Sequence, residues 1–214
     1  MKIEAVLLDL DGVLVDATEW HYEALNRALG LFGYAISRYE HLTSYNGLPT
    51  RKKLEMLSLE KGFPKGLHAL TNKIKQKYTR EEILRNCRPV FEKEFMVHQL
   101  KREGYKLGVC SNAIRESVEL MLRGSGLWEL FDFVASNEDV KNAKPDPEIY
   151  LGAFKRLGLQ PKQCLIIEDA SHGVEAAKRS GANLCQVAGF AEVDYTRIKT
   201  SLEAVEKGNG ACSK

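Results

Sequence analysis

No stretch of this 214-residue chain approaches the roughly 18 consecutive apolar residues that a membrane-spanning helix needs. A helical membrane protein is thereby excluded, and no membrane partner is expected. The chain runs at once into a strand-like apolar segment. It lacks the succession of basic, apolar and small residues that marks a secretory leader, so a cytoplasmic location is expected. Cysteines are few and scattered, at Cys87, Cys110, Cys164, Cys185 and Cys212, with no Cys-x-x-Cys pair. That spacing suits neither a disulfide framework nor a zinc site and leaves reduced thiols as the default. Repeats, low-complexity tracts and basic runs interleaved with aromatics are all missing, so nucleic acid is not an expected partner. Net charge is only +2.

That small charge is unevenly placed. Residues 17–87 hold 12 Lys and Arg against 7 Asp and Glu, a net of +5, which leaves −3 for the remainder. A basic segment beside an acidic one points to a region that meets anions. The same boundary appears in the hydrophobic pattern. Residues 1–16 and 88–190 alternate short apolar runs ("IEAVLLDL", "YKLGVCS", "FDFVAS", "CLIIED", "NLCQVAG") with amphipathic helical patterns around Val118, Phe154 and Ala177. Such alternation predicts an α/β fold, a parallel sheet with helices on both faces. Residues 17–87 contain no strand run. Trp20, Ala24, Leu25, Ala28, Leu29 and Phe32 form one helical stripe, Pro49 opens another helix, and "LHALTNKIKQKY" forms a third. The reading is a helical insert in 17–87, between the first strand and the rest of a domain made of 1–16 and 88–214. A last helix is expected over 196–206, followed by a fraying "GNGACSK".

The apolar strands end in chemistry. "AVLLDLDG" closes on Asp9, Asp11 and Gly12, "LGVCSN" on Ser111 and Asn112, and "CLIIED" on Glu168 and Asp169; Lys144 precedes a helix starting near Pro147. In an open parallel sheet these positions converge on one edge. Carboxylates gathered there repel one another unless a cation lies among them, and an oxygen-only set without His or Cys points to magnesium. Lys144 and Ser111 add a charge and a hydroxyl suited to phosphoryl oxygens. Each feature has an ordinary alternative, a turn at Asp11–Gly12 or a helix cap at Asp169–Ser171, but turns and caps leave Lys144 and the paired acids unexplained.

"DLDGVLVD", "SNA", "KPDP" and "EDASHGVEAAKRSGA" resemble the four ordered motifs of the haloacid dehalogenase-like phosphohydrolases, and the insert resembles the cap of their β-phosphoglucomutase-like branch. The resemblance implies a Rossmann-like, doubly wound core with an inserted helical cap. It implies Asp9 as nucleophile, Asp11 as general acid and base, Ser111 and Lys144 on the phosphoryl oxygens, and Gly12 and Asn112 near the substrate. It implies Mg2+ held by Asp9, Asp11 through its carbonyl, Asp169 and, through water, Glu168. "DATEWHYEAL" resembles the hinge segment of that branch, where His21 would assist acid–base chemistry. "YNGLPTRKKLEML" resembles its specificity loop, with Gly47 at the turn. There the chain departs from the mutases, with Asn46 and Thr50 in place of a lysine and an arginine. Arg51, Lys52, Lys53, Lys75 or Lys77 could supply the missing charge, and Arg51 and Lys77 are the expected substrate contacts. The implied function is a magnesium-dependent phosphatase acting on a small phosphorylated molecule, as a monomer or weak homodimer. A sugar-phosphate mutase and a non-catalytic phosphate-binding module are the alternatives.

Overall fold

Five short apolar runs form strands in the computed structural model, which describes residues 2–208. They are β1 (Ala5–Leu8), β2 (Lys106–Cys110), β3 (Phe133–Ala135), β4 (Cys164–Glu168) and β5 (Asn183–Gln186), all parallel, in the order β3-β2-β1-β4-β5. β1 is apolar and buried at every position, as befits a central strand covered on both faces. Alternate side chains of β1 feed two separate cores. Val6 and Leu8 pack with Met96, Val97 and Leu100 of α5 (Phe91–Arg102), Val118 of α6 (Arg115–Gly124) and Ile198 of α9 (Tyr195–Glu206). Ala5 and Leu7 pack with Ile149 and Tyr150 of α7 (Glu148–Leu157) and with Ala176 and Ala177 of α8 (Ser171–Ser180). The period-two alternation of a strand thus produces the two helical layers of a doubly wound sheet.

The strand order fixes where a ligand can sit. From β1 the chain moves outward through β2 and β3, then returns to the other side of β1 for β4 and β5. The crevice beyond the carboxyl ends of β1 and β4 is therefore the topological switch point, the usual ligand site of such sheets.

Residues 18–86 supply helices and no strand: α1 (Thr18–Gly30), α2 (Arg38–Glu40) running into a π-helical turn (His41–Tyr45), α3 (Thr50–Lys61) and α4 (His68–Asn86). α1 lies along α4. Leu25, Leu29, Ile36, Tyr45, Leu54, Leu57 and Phe63 form a core of their own. One member of the expected stripe behaves differently. Trp20, in the first turn of α1, packs against the sheet-side core with Ala17, Ile83 and Cys87, because it sits where α1 leaves the sheet. α5 was not singled out from sequence, since its buried face includes Lys93, whose ammonium donates to the carbonyls of Phe190 and Val193. Residues 209–214, most of the segment expected to fray, lie outside the described residues, as does Cys212.

Ile167 is fully buried one residue before Glu168, and its carbonyl accepts from the Asp9 amide at 3.1 Å. Ile167→Ala should cost about 2–5 kcal/mol, the range for cavity-forming truncation in a core. Urea denaturation should show a lower midpoint with an unchanged slope.

Candidate active site

Beyond β1 the chain must turn sharply to aim two acids at the same space. Gly12 makes the turn with φ +82°, and its amide donates to the Val15 carbonyl at 2.8 Å. A side chain is impossible there on spatial grounds too, since a Cβ would lie 2.1 Å from Asp169 Oδ2. A second glycine shapes the other side. A Cβ on Gly173, in the first turn of α8, would lie 2.0 Å from Glu168 Oε1.

Lys144 stands at the centre. Its Nζ donates to Asp9 Oδ1 at 3.0 Å, to Glu168 Oε1 at 2.5 Å and to the Cys110 carbonyl at 2.7 Å, and the residue is only 4% exposed. Burial works against the ammonium, but Asp9 and Glu168 outweigh it and hold Lys144 above its ordinary pKa. Burial first and Glu168 second push Asp9 well upward, with Lys144 pulling the other way. Burial and then Glu168 likewise raise Asp169 to about 7. One ammonium therefore does not neutralise these carboxylates.

The remaining deficit suits a metal ion. One carboxylate oxygen from each of Asp9, Glu168 and Asp169 lies within 4.8 Å of the others. Glu168 Oε2 and Asp169 Oδ1 are buried with no hydrogen-bond donor among the described residues. Orphaned anionic oxygens of this kind are costly unless a cation completes them, and an all-oxygen donor set fits magnesium. The residues present thus fit the group.

Asp11 faces the helical segment. His21 Nε2 lies 3.0 Å from Asp11 Oδ1, and Lys75 Nζ lies 3.3 Å from His21 Nδ1. Lys75 can only donate, so Nδ1 accepts and Nε2 carries the proton given to Asp11. Burial, then Lys75, lower the His21 pKa, in keeping with a neutral ring. For Asp11, burial acts upward, but His21, Lys75 and Lys53 prevail and hold it below its ordinary value.

The cleft enclosed by these groups measures about 150 Å³, below the ~300 Å³ of drug-sized sites, and so suits a small molecule. Ser111 is fully buried beyond β2, and its Oγ accepts from the Ala113 amide at 3.0 Å. Asn112 serves as a tie. Its Nδ2 donates to the carbonyls of Gly47 at 3.0 Å and Lys144 at 3.3 Å, and its Oδ1 accepts from the Lys144 amide at 3.0 Å. Gly47 lines the cleft at φ +75°, and a Cβ there would come within 2.9 Å of Ala170 Cβ.

One expected contact needs correction. Lys77 is exposed and is not part of the cleft lining, because α4 turns its Lys75 face inward and a residue two positions on points away. Arg51 reaches the rim, but its side chain is 87% exposed and paired with Glu55 at 3.0 Å. Sequence reasoning also missed Tyr150, whose buried hydroxyl donates to Glu168 Oε1 at 2.5 Å. Its place in the first turn of the helix after "KPDP" was the available signal.

A family model described as haloacid dehalogenase-like hydrolase matches residues 6–187. The chain is 32% identical over 181 residues to a phosphorylated carbohydrates phosphatase from Thermotoga maritima, covering 84% of this chain and 82% of the relative. It is 28% identical over 196 residues to the pyrophosphatase PpaX of Bacillus velezensis, covering 87% and 84%. In fold it is similar to a β-phosphoglucomutase from Clostridium difficile, with a TM-score of 0.81, 24% identity and coverage of 96% and 99%.

The raised Asp169 carboxylate makes a pH-dependent prediction. Its pKa of about 7 against an ordinary 3.8 contributes stability that is full below 3.8 and lost as pH rises through about 7. A bound cation reverses that loss. The rise in Tm on adding magnesium should therefore grow between about pH 5 and about pH 8, and Asp169→Asn should flatten it. Thermal shift in chelator and in magnesium across that range is the measurement.

Proposed function

This chain belongs to the haloacid dehalogenase-like hydrolase family and is a phosphoric monoester hydrolase of it; we propose that Asp9 is its nucleophile and a small sugar or polyol phosphate its substrate. The observation that carries the proposal is the buried Lys144 ammonium held between Asp9 and Glu168 at the switch point. A carboxylate is a weak nucleophile and a phosphate dianion repels it, so fixed positive charge beside both is the first requirement.

In the proposed sequence an Asp9 oxygen attacks phosphorus while the bond to the leaving oxygen breaks. Asp11 gives that oxygen its proton, and an aspartyl phosphate remains on Asp9. Asp11 then takes a proton from water as the water oxygen attacks phosphorus, which frees inorganic phosphate and restores both acids. His21 orients the Asp11 carboxyl, and an arriving phosphoryl dianion raises that carboxyl's proton affinity. Ser111 and Lys144 hold the phosphoryl oxygens. Asp9, the Asp11 carbonyl and Asp169, with Glu168 behind them, would hold magnesium, which supplies charge neutralisation at the phosphoryl oxygens when bound.

Residues 1–16 and 88–214 form the core domain and 17–87 the cap, which Asn112 holds against the core through Gly47. The enzyme is cytoplasmic and works as a monomer or weak homodimer. Among the described residues no helix is long and apolar enough to cross a membrane, and Cys87, Cys110 and Cys164 are buried free thiols. Hydrolysis is preferred over phosphoryl transfer between two sites on one sugar because Asn46 and Thr50, both lining the cleft, are neutral.

Asp9→Asn is nearly isosteric and removes the charge. Phosphate release from an aryl phosphate should fall more than about 100-fold, a loss of several kcal/mol of transition-state stabilisation, while circular dichroism and the thermal midpoint stay close to those of the parent. Retention of a larger fraction of activity would remove Asp9 from the role of nucleophile.

A further inference from the structure

Glu168 is fully buried, and its two oxygens have different surroundings. Oε1 accepts two hydrogen bonds, one from Lys144 Nζ and one from the Tyr150 hydroxyl, each at 2.5 Å. Oε2 has no donor among the described residues. The carboxyl group is packed against Gly173 so closely that a Cβ there would lie 2.0 Å from Oε1 and 2.2 Å from Oε2.

Tyr150 is itself fully buried and is not part of the cleft lining. It sits in the first turn of α7, where its amide donates to the Pro147 carbonyl at 2.9 Å and its ring shares a core with Leu7, Ile149 and Ile166. It therefore does not touch a substrate in the cleft. Among the described residues the one hydrogen-bond partner of its hydroxyl is Glu168.

The protons of Lys144 show why this second donor matters. An ammonium has three, and here they go to Asp9 Oδ1, Glu168 Oε1 and the Cys110 carbonyl. A phosphoryl oxygen, as a fourth acceptor, is reached only when one of the three is released. Were Lys144 the only donor to Glu168, that release would strip a buried carboxylate of its last hydrogen bond, a costly state. With Tyr150 in place, Oε1 keeps a hydrogen bond when Lys144 turns away. The same bond decides which oxygen is tied. It holds Oε1 on the side of α7 and leaves Oε2 as the oxygen free to serve the cation site of Asp9, Glu168 and Asp169.

Resting on the phosphatase reading, we propose that Tyr150 is a positioning residue of the reaction: it fixes Glu168 for the cation and frees Lys144 to pass a donor to the transferring phosphoryl group. The first effect concerns magnesium. The second is felt equally by every substrate, because the phosphoryl group is the part that all of them share.

Tyr150→Phe keeps the ring and removes the hydroxyl. Calorimetry without substrate should show the magnesium Kd raised by about 10-fold or more, the scale on which hydrogen-bond partners of ligating groups act. The rise in Tm on adding a fixed magnesium concentration should shrink accordingly. At saturating magnesium, kcat and kcat/KM should fall together by about 10-fold or more, the signature of an interaction made in the transition state. The factor should be similar for an aryl phosphate and for sugar phosphates. A role in packing alone would lower Tm equally in chelator and in magnesium and leave the magnesium Kd unmoved. That result, or a loss of kcat confined to one ester, would overturn the proposal.

The calorimetric readout needs no turnover. Weaker magnesium binding in Tyr150→Phe, with no phosphate released from any ester by the parent enzyme, would refute the phosphatase reading while leaving the fixing of Glu168 standing. Phosphate release by the parent, with the same magnesium Kd and the same kcat in Tyr150→Phe, would do the reverse.

Discussion

A single ammonium in a nearly sealed space sets the terms for the rest of this molecule. Lys144 is held by Asp9, Glu168 and the Cys110 carbonyl, so three loops from three parts of the sheet edge share one cation. Removing it would leave two buried carboxylates facing each other, a loss on the order of 3–5 kcal/mol for a broken buried pair. The arrangement is also incomplete by design. Glu168 Oε2 and Asp169 Oδ1 remain without a donor, and the pKa values of Asp9 and Asp169 are displaced upward. The fold supplies the scaffold energy that keeps such a site from relaxing: β1 and β4 are buried throughout and run side by side in parallel register.

The helical segment answers with the opposite sign. Two of its lysines, Lys53 and Lys75, are drawn into the cleft, while surface arginines pair with acids, as Arg27 does with Glu81 and Glu82. The net charge of that segment is therefore a poor guide to its interior. What counts is that Lys53 and Lys75 are buried and Arg51 is not. Asn112 joins the two halves, since one side chain binds backbone on both Gly47 and Lys144. The position of the electrostatic centre and the position of the cap loop are thus coupled through a single amide.

How much of this could be read from the chain alone depended on what kind of signal each element carried. The strands were legible as short apolar runs; two of them ended abruptly in acids, which singled out Asp9, Asp11, Glu168 and Asp169, while Lys144 stood in a loop just before a helix. The cap residues were less so. The inward face of α4 runs through Thr71, Lys75, Thr79, Glu82 and Ile83, an i, i+4 stripe built mostly of polar residues. Hydrophobic periodicity does not register such a face, so nothing in the sequence said that Lys75 turns in and Lys77 out. α5 hid for a related reason, its buried Lys93 interrupting the apolar pattern. Trp20 shows the converse case, a residue in the right stripe whose partner depends on where the helix begins.

The two glycines beside the carboxylates can be viewed as moulds. Around Gly12 and Gly173, the volume that any other residue would fill with its first carbon is filled by Asp169 and Glu168 oxygens. The acids are thus located as much by missing atoms as by present ones. A designer transplanting this centre to another scaffold would have to carry over the two vacancies along with the five charged side chains. Copying the charges alone would leave the carboxylates with no assigned place to stand.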